Sequence, residues 1–314
     1  MAKLVGLRIL SLVPLLLMVS VAVFSLTYLM PGSTAAAVLG VNADPEAIEA
    51  LEAKLGLDRS PVAQFQEWFG NVLHGDLGTS LFSGQEVGTL ITTRLSATFS
   101  LTFGAMAIAI VLGVLGGVLS ALRAGTLLDR GISVTASAGL SVPDFWVGIV
   151  LLNVFSVGMG WFPVISWTPP SRDPVAWLQG LVLPCLALGI TGAAVIARQM
   201  RGAMLETLEA PYVQTLRAIG TSWRVIVFRY ALKNAFIPVL TVVSFLAVAT
   251  MGGTFVIEEV FTIPGIGSLM LDAVARKDMP VVQGITLLVA VWVALVYLLV
   301  DICYGLLNPR IRPA

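Results

Sequence analysis

Six stretches of this chain are apolar for long enough to cross a lipid bilayer, and no other feature restricts its fold so severely. They run 7–30, 98–122, 131–157, 178–197, 235–257 and 281–303. A hydrocarbon core of about 30 Å needs about twenty apolar residues when crossed as a helix. No water is present there to satisfy free amides, so runs of this length read as helices rather than sheet. The predicted class is therefore all-α, a polytopic membrane protein with six transmembrane helices. Composition agrees: 57% of residues are hydrophobic, 11% are charged and mean hydropathy is +0.94, which leaves lipid as the main solvent. The net charge of zero gives no footing for nucleic-acid binding.

The first run follows Lys3 and spans Arg8, with small residues at 35–37 beyond it, as a signal peptide would. It is longer than a signal peptide's apolar region, so an uncleaved first span is expected. Pro143 and Asp144 interrupt the third span, and Pro184, Gly189 and Gly192 loosen the fourth. With six spans, both termini and the loops after spans two and four share one side. That side carries twelve of the eighteen Lys and Arg residues, with Arg198, Arg201, Arg217, Arg224, Arg229 and Lys233 in a single loop. The excess of positive charge places both termini in the cytoplasm.

Four regions are expected: the N-terminus and first span over 1–30, an extracytoplasmic segment over 31–96, a five-helix core over 97–305 containing the loop 199–234, and a cytoplasmic tail over 306–314. Within 31–96, Asp44 and Pro45 start a helix with Ile48, Leu51 and Leu55 on one face and Gly56 as its stop.

Several chemistries lack their residues. No Lys follows a Gly, so there is no GxxxxGK[ST] phosphate cradle. HExxH and GxSxG are absent too, and no catalytic residue is identified. Cys185 and Cys303 lie in or beside apolar runs as small hydrophobes, and His74 sits alone in a polar loop, so no metal site is expected. Among intramembrane acids, Asp301 belongs at the headgroup boundary. Asp144 is either a helix N-cap, the favoured reading, or a pathway residue.

Charge, helical pattern and turn chemistry concentrate in 199–234. Pro211 suits a first helical turn, Tyr212, Leu216 and Ile219 share a face, and Gly220 fits a left-handed stop. Thr221 or Ser222 can cap a second short helix through Trp223, Val225, Ile226 and Phe228. Pattern alone leaves two alternatives even: a docking element, or a basic segment lying on anionic lipid.

The run Tyr212-Val-Gln-Thr-Leu-Arg-Ala-Ile-Gly220, with Arg229-Tyr-Ala-Leu-Lys-Asn-Ala235 and Pro238, resembles the coupling loop of dipeptide, oligopeptide and nickel ABC importer permeases. Further matches are Gly75-Asp-Leu-Gly-Thr-Ser80, Arg94 with Ala97-Thr98, Ser141-Val-Pro-Asp-Phe-Trp-Val-Gly148, Phe261 with Pro264-Gly-Ile-Gly267, and Asn308-Pro-Arg-Ile-Arg312. Two departures stand out: Gln214-Thr215-Leu216 replaces the family's Glu-Ala-Ala, and Pro31-Gly-Ser-Thr34 replaces Pro-Gly-Asp-Pro. A neutral Gln214 cannot form the glutamate's ion pair.

The resemblance implies a type I ABC importer permease fold in a prokaryotic plasma membrane. It implies a second homologous permease, one or two cytoplasmic ATPase subunits that bind ATP and Mg, and an extracytoplasmic substrate-binding protein as partners. This chain would hold no cofactor and would not itself be an enzyme. Tyr212, Thr215, Leu216, Arg217, Ala218, Ile219 and Gly220 would couple to the ATPase, with Gly220 as the hinge between two short helices. Pro143, Asp144, Phe261, Pro264, Gly265 and Gly267 would belong to the pathway or its outer gate, and segment 258–280 reads equally as gate or as connector stapled by Phe261 and Leu269. Dipeptides or oligopeptides are the expected cargo, with nickel or another metal chelate as the alternative. An ion-coupled secondary transporter is disfavoured for want of coupling-ion residues and an internal repeat.

Overall fold

In a computed structural model of the chain, residues 2–29, 34–40, 43–54, 56–165 and 167–307 are described. The elements are α1 (Ala2–Leu29), α2 (Thr34–Leu39), α3 (Pro45–Lys54), α4 (Pro61–Leu73), α5 (Val87–Leu122), α6 (Leu127–Ser141) and α7 (Asp144–Leu151), which runs on as a π-helix Leu152–Gly158. They continue with α8 (Pro174–Glu209), α9 (Pro211–Ala218), α10 (Trp223–Val225), a π-helix Ile226–Ala231, α11 (Leu232–Val260), α12 (Ile266–Arg276) and α13 (Met279–Leu307). Among the described residues the β pairing is an isolated bridge between Thr79 and Glu86.

Val87–Leu122, Pro174–Glu209, Trp223–Val260 and Met279–Tyr304 are each long and apolar enough to cross a membrane. The expected third span is a pair, Leu127–Ser141 and Asp144–Gly158, bent by 101°. The first span falls in α1, whose described apolar part is Leu12–Ser25. Motif residues 31–33 and 308–312, and Leu55, lie outside the described residues.

The chain gathers into two compact units: one of 97–263 with 1–5 and 296–314, the other of 6–96 with 264–295. In the first, α8 is the central helix, with sixteen buried positions from Gly180 to Met204. Its glycines do not loosen it, contrary to the sequence expectation. A Cβ on Gly189 would stand 2.7 Å from Ile108 Cγ2, and one on Gly192 would stand 2.9 Å from Ala109 Cβ. Facing them, a Cβ on Gly113 or Gly117 of α5 would lie 2.6 Å from Ile196 Cβ or from the Ala197 carbonyl. Small residues four apart thus let two backbones meet, which gains dispersion contacts that lipid cannot supply. Cys185 is buried there, its Sγ in the space a side chain on Gly104 would need.

In the second unit, Asp44 Oδ1 accepts from the Glu46 amide and α3 is followed by Gly56 at φ +67°, as the pattern predicts. Ser60 caps α4, and Phe24 packs at 5.4 and 5.6 Å from the rings of Phe65 and Trp68. The Gly75–Ser80 motif folds as a turn, with Asp76 Oδ1 accepting from the Gly78 amide at 2.8 Å. It ends in a buried clasp. Ser80 Oγ donates to Asp278 Oδ2 at 2.5 Å, and the Leu81 amide donates to Asp278 Oδ1 at 3.2 Å. Val87, Ile91, Ile266, Leu269 and Ile285 form the apolar cluster of this unit.

Candidate functional site

Beyond its apolar stretch α8 continues as a helix to Glu209, and the break that starts α9 is set by Ala210, extended at φ −62° and ψ 145°. Residues preceding proline are pushed out of the helical region, and Pro211 then occupies the first position of α9. A fully buried Val213 anchors this helix. Asn234 Nδ2 also donates to Tyr212 Oη at 3.0 Å, tying α9 to the base of α11. Leu216 is half-buried, whereas Thr215, Arg217, Ala218 and Ile219 are exposed, Ile219 at 71%. Gly220 ends the element at φ +83°, with the Thr221 amide donating back to the Leu216 carbonyl at 3.0 Å.

Two details differ from the sequence expectation. Ser222 takes the N-cap position of the next helix but makes no side-chain cap bond. Nor is that helix separate and short: Trp223 to Val260 is continuous, with a π-helical stretch at Ile226–Ala231. Ile226, Val227 and Ala231 are buried and fix the stretch, Val227 and Ala231 in one cluster with Met200 and Met204 of α8. Arg217 lies over the Trp223 ring, 4.3 Å from its centroid, so the turn at Gly220 is spanned by a cation–π contact.

At the foot of α8, Arg201 Nε and Nη2 donate to Asp129 Oδ1 and Oδ2 at 2.7 and 2.8 Å. Ser120 Oγ and the Gly125 amide also donate to this carboxylate. Arg201, then Ser120, then Gly125 hold the buried Asp129 well below the usual carboxylate range, and Asp129 raises Arg201 in turn. Both residues lie outside the apolar stretches. The loop is thereby braced from α6 and from α11.

The bent pair places Pro143 as the N-cap of α7, without a side-chain cap bond. Asp144 is the first residue inside the helix, so it is not the expected cap. Its Oδ1 is shielded from solvent and has no hydrogen-bond partner, and the same holds for Thr191 Oγ1. Both residues line a cavity of about 470 Å³.

Phe261 is fully buried beside Gly148, where an added Cβ would meet its ring at 3.1 Å. It closes α11 by donating its amide to the Ile257 carbonyl. Glu258, expected in an external connector, is instead inside α11 and fully buried, accepting from Thr98 Oγ1 at 2.6 Å. Pro264, Gly265 and Gly267 fall in the other unit, Gly265 as the N-cap of α12 and Gly267 buried within it. Leu269 belongs to that unit's cluster and Phe261 to a cluster of the first unit. Among the described residues no group of His, Cys, Asp and Glu can hold a metal ion.

Sequence reasoning missed Val213, the Asp129–Arg201 pair and the Glu258–Thr98 bond. Val213 and Thr98 stood within quoted motifs and Arg201 among the loop's positive charges, but none of them with this role. Both pairs join partners far apart in the chain.

The family model for the binding-protein-dependent transport system inner membrane component matches residues 113–313, and the model for its N-terminal part matches 1–102. A di/tripeptide transport system permease protein of Pseudomonas aeruginosa is 39% identical over 333 aligned residues, covering 99% of both chains. A glutathione transport system permease protein of Pectobacterium atrosepticum is 39% identical over 305 residues, covering 97% of both. A solved structure of the MetNI methionine ABC transporter in an inward-facing conformation covers 70% of this chain and 96% of its own. It aligns with a TM-score of 0.54 at 19% identity, a likeness of fold.

Proposed function

The chain belongs to the family of binding-protein-dependent transport system inner membrane components, and on that premise we propose that it is the permease subunit of an ATP-driven peptide importer. Relatives named for di/tripeptides and for glutathione, itself a peptide, support this cargo over a metal chelate. The observation that carries the coupling role is α9. Buried Val213, half-buried Leu216, a hydrogen bond from Asn234 and the Arg217–Trp223 contact hold it, while Thr215, Ala218 and Ile219 are left to a partner.

An ATPase cleft receives this helix through apolar and polar contact, because neutral Gln214 offers no ion pair. Two ATPase subunits closing on ATP and Mg²⁺ draw this loop toward that of a second homologous permease. The motion enters α8 through Ala210 and the continuous helix Trp223–Val260 through Gly220. An extracytoplasmic binding protein delivers the peptide. The charge asymmetry supports cytoplasmic termini, and the missing phosphate cradle leaves ATP hydrolysis to the partners.

The test is peptide uptake by the full complex in proteoliposomes. Gly220→Pro should reduce uptake and peptide-stimulated ATP hydrolysis by at least about tenfold while the complex still assembles, since proline cannot adopt a positive φ. Unchanged uptake would refute the coupling role. The lipid-surface alternative predicts instead that Arg217→Ala with Arg224→Ala weakens binding to anionic vesicles and leaves ATPase association intact.

A further inference from the structure

The 101° bend between α6 and α7 interrupts the backbone within the apolar part of the chain. Non-helical backbone at membrane depth persists only where protein covers it or where it lines a water-filled cavity. Here it lines a cavity of about 470 Å³, with Ser141, Pro143, Asp144, Phe145, Thr191 and Val256 among its walls and no Lys, Arg or His. The last carbonyls of α6 have no following turn to bond. Asp144 adds a carboxyl group whose Oδ1 is shielded and unpartnered. Thr191 Oγ1 lines the same cavity and is equally unpartnered. Helix capping does not account for the acid, because Pro143 is the cap residue and no cap bond forms.

The wall is thus a set of oxygen acceptors with one carboxyl group and no Lys, Arg or His to pair with it. A divalent metal would require about six oxygen ligands, more than the carboxylate, hydroxyl and carbonyl oxygen grouped here. A guanidinium would require a planar, bidentate fit. A primary ammonium is compact, carries three donors, and matches a carboxylate, a hydroxyl and a carbonyl oxygen.

We propose that the cavity at the α6–α7 bend is a subsite of the transport path that takes the N-terminal ammonium group of the peptide, accepted by Asp144 and Thr191. The assignment rests on the peptide-importer reading and deepens it. The free amine is the cation that unmodified linear peptides of any sequence share, so one fixed acid serves many side chains.

The test needs no substitution. In the assembled transporter, Asp144 is labelled with a hydrophobic carbodiimide and quantified by mass spectrometry, alone or with a lysine-free tripeptide, its Nα-acetylated form, Na⁺ or Mg²⁺. Protection of at least about fivefold by the free-amine tripeptide, with none by the acetylated form, is expected. Equal protection by both forms, no protection, protection by Na⁺ or Mg²⁺ alone, or an Asp144 that never labels would each overturn the subsite. A second measurement uses Asp144→Asn in a complex that still assembles, which should lower tripeptide uptake at least about tenfold. Normal uptake overturns the subsite alone, whereas a native transporter that imports no peptide overturns the importer reading itself.

Discussion

Asp129 draws its four hydrogen bonds from α5, the turn after it and α8, and they make its ionised form part of the fold. Its folded pKa is depressed, so its contribution is fully present above the unfolded carboxylate value near 4 and is lost as pH falls through the folded value. Asp129→Asn should therefore lower the thermal midpoint in detergent by a gap that is constant from about pH 5 to 8. The gap should narrow only below about pH 4. A thermal-shift series across pH checks this, and a gap that widens in acid would contradict it. Nothing local in the sequence marks the pair, since Arg201 lies 72 residues away. Glu258 misled for a related reason: beside Glu259 and a proline–glycine turn it reads as exposed connector, yet Thr98, 160 residues earlier, satisfies it in the interior.

Among elements, the α5–α8 contact and the Ser80–Asp278 clasp make the sharpest predictions. Gly117→Ile should force the helices apart, because even a Cβ there meets the Ala197 carbonyl at 2.6 Å and Met200 Cβ at 2.6 Å. Overpacking of this kind costs about 1–3 kcal/mol or more. A clear loss of folded protein by size-exclusion profile is the expected readout. Asp278→Ala strands the buried Ser80 hydroxyl and the Leu81 amide, at a cost of about 1–3 kcal/mol. Faster proteolysis within the exposed 82–86 turn should report it. Element type was legible wherever a periodic run met a Pro or Gly signal, as at Pro45, Pro211 and Gly220. Element extent was not. The run of apolar residues starting at 98 hid the eleven earlier residues of α5, and a cap-like Ser222 concealed that Trp223–Val260 is one helix. Local turn chemistry cannot reveal that packing carries a helix through.

At the scale of the molecule, the spans are unevenly covered. The most apolar window of Pro174–Glu209 is 72% buried, while that of Met279–Tyr304 is 17% buried. Apolar faces left open in this way suit lipid or another subunit, and the family's name already implies a multi-component system. The purified chain alone should hydrolyse no ATP above background. Adding its ATPase subunits with the second permease should give hydrolysis that rises with loaded binding protein. Hydrolysis by the chain alone would contradict the division of labour. Membrane class and family were legible because six apolar runs and several motifs extend along the whole length. The cavity at the bend was less so, since Asp144 and Thr191, 47 positions apart in the chain, come to line it only through the fold.

The uninterrupted helix from Trp223 to Val260 has a further consequence. At 1.5 Å per residue its 38 residues make a rod of roughly 57 Å. A rod of that length turns angle into distance: a tilt of about 10° displaces one end relative to the other by roughly 10 Å. The end beside Gly220 would need only a small swing for the far end, where Glu258 is held by Thr98, to travel the width of a helix. Under the proposed coupling at Gly220, a pivot near that end would let a modest stroke there become a larger displacement at the far end of the helix.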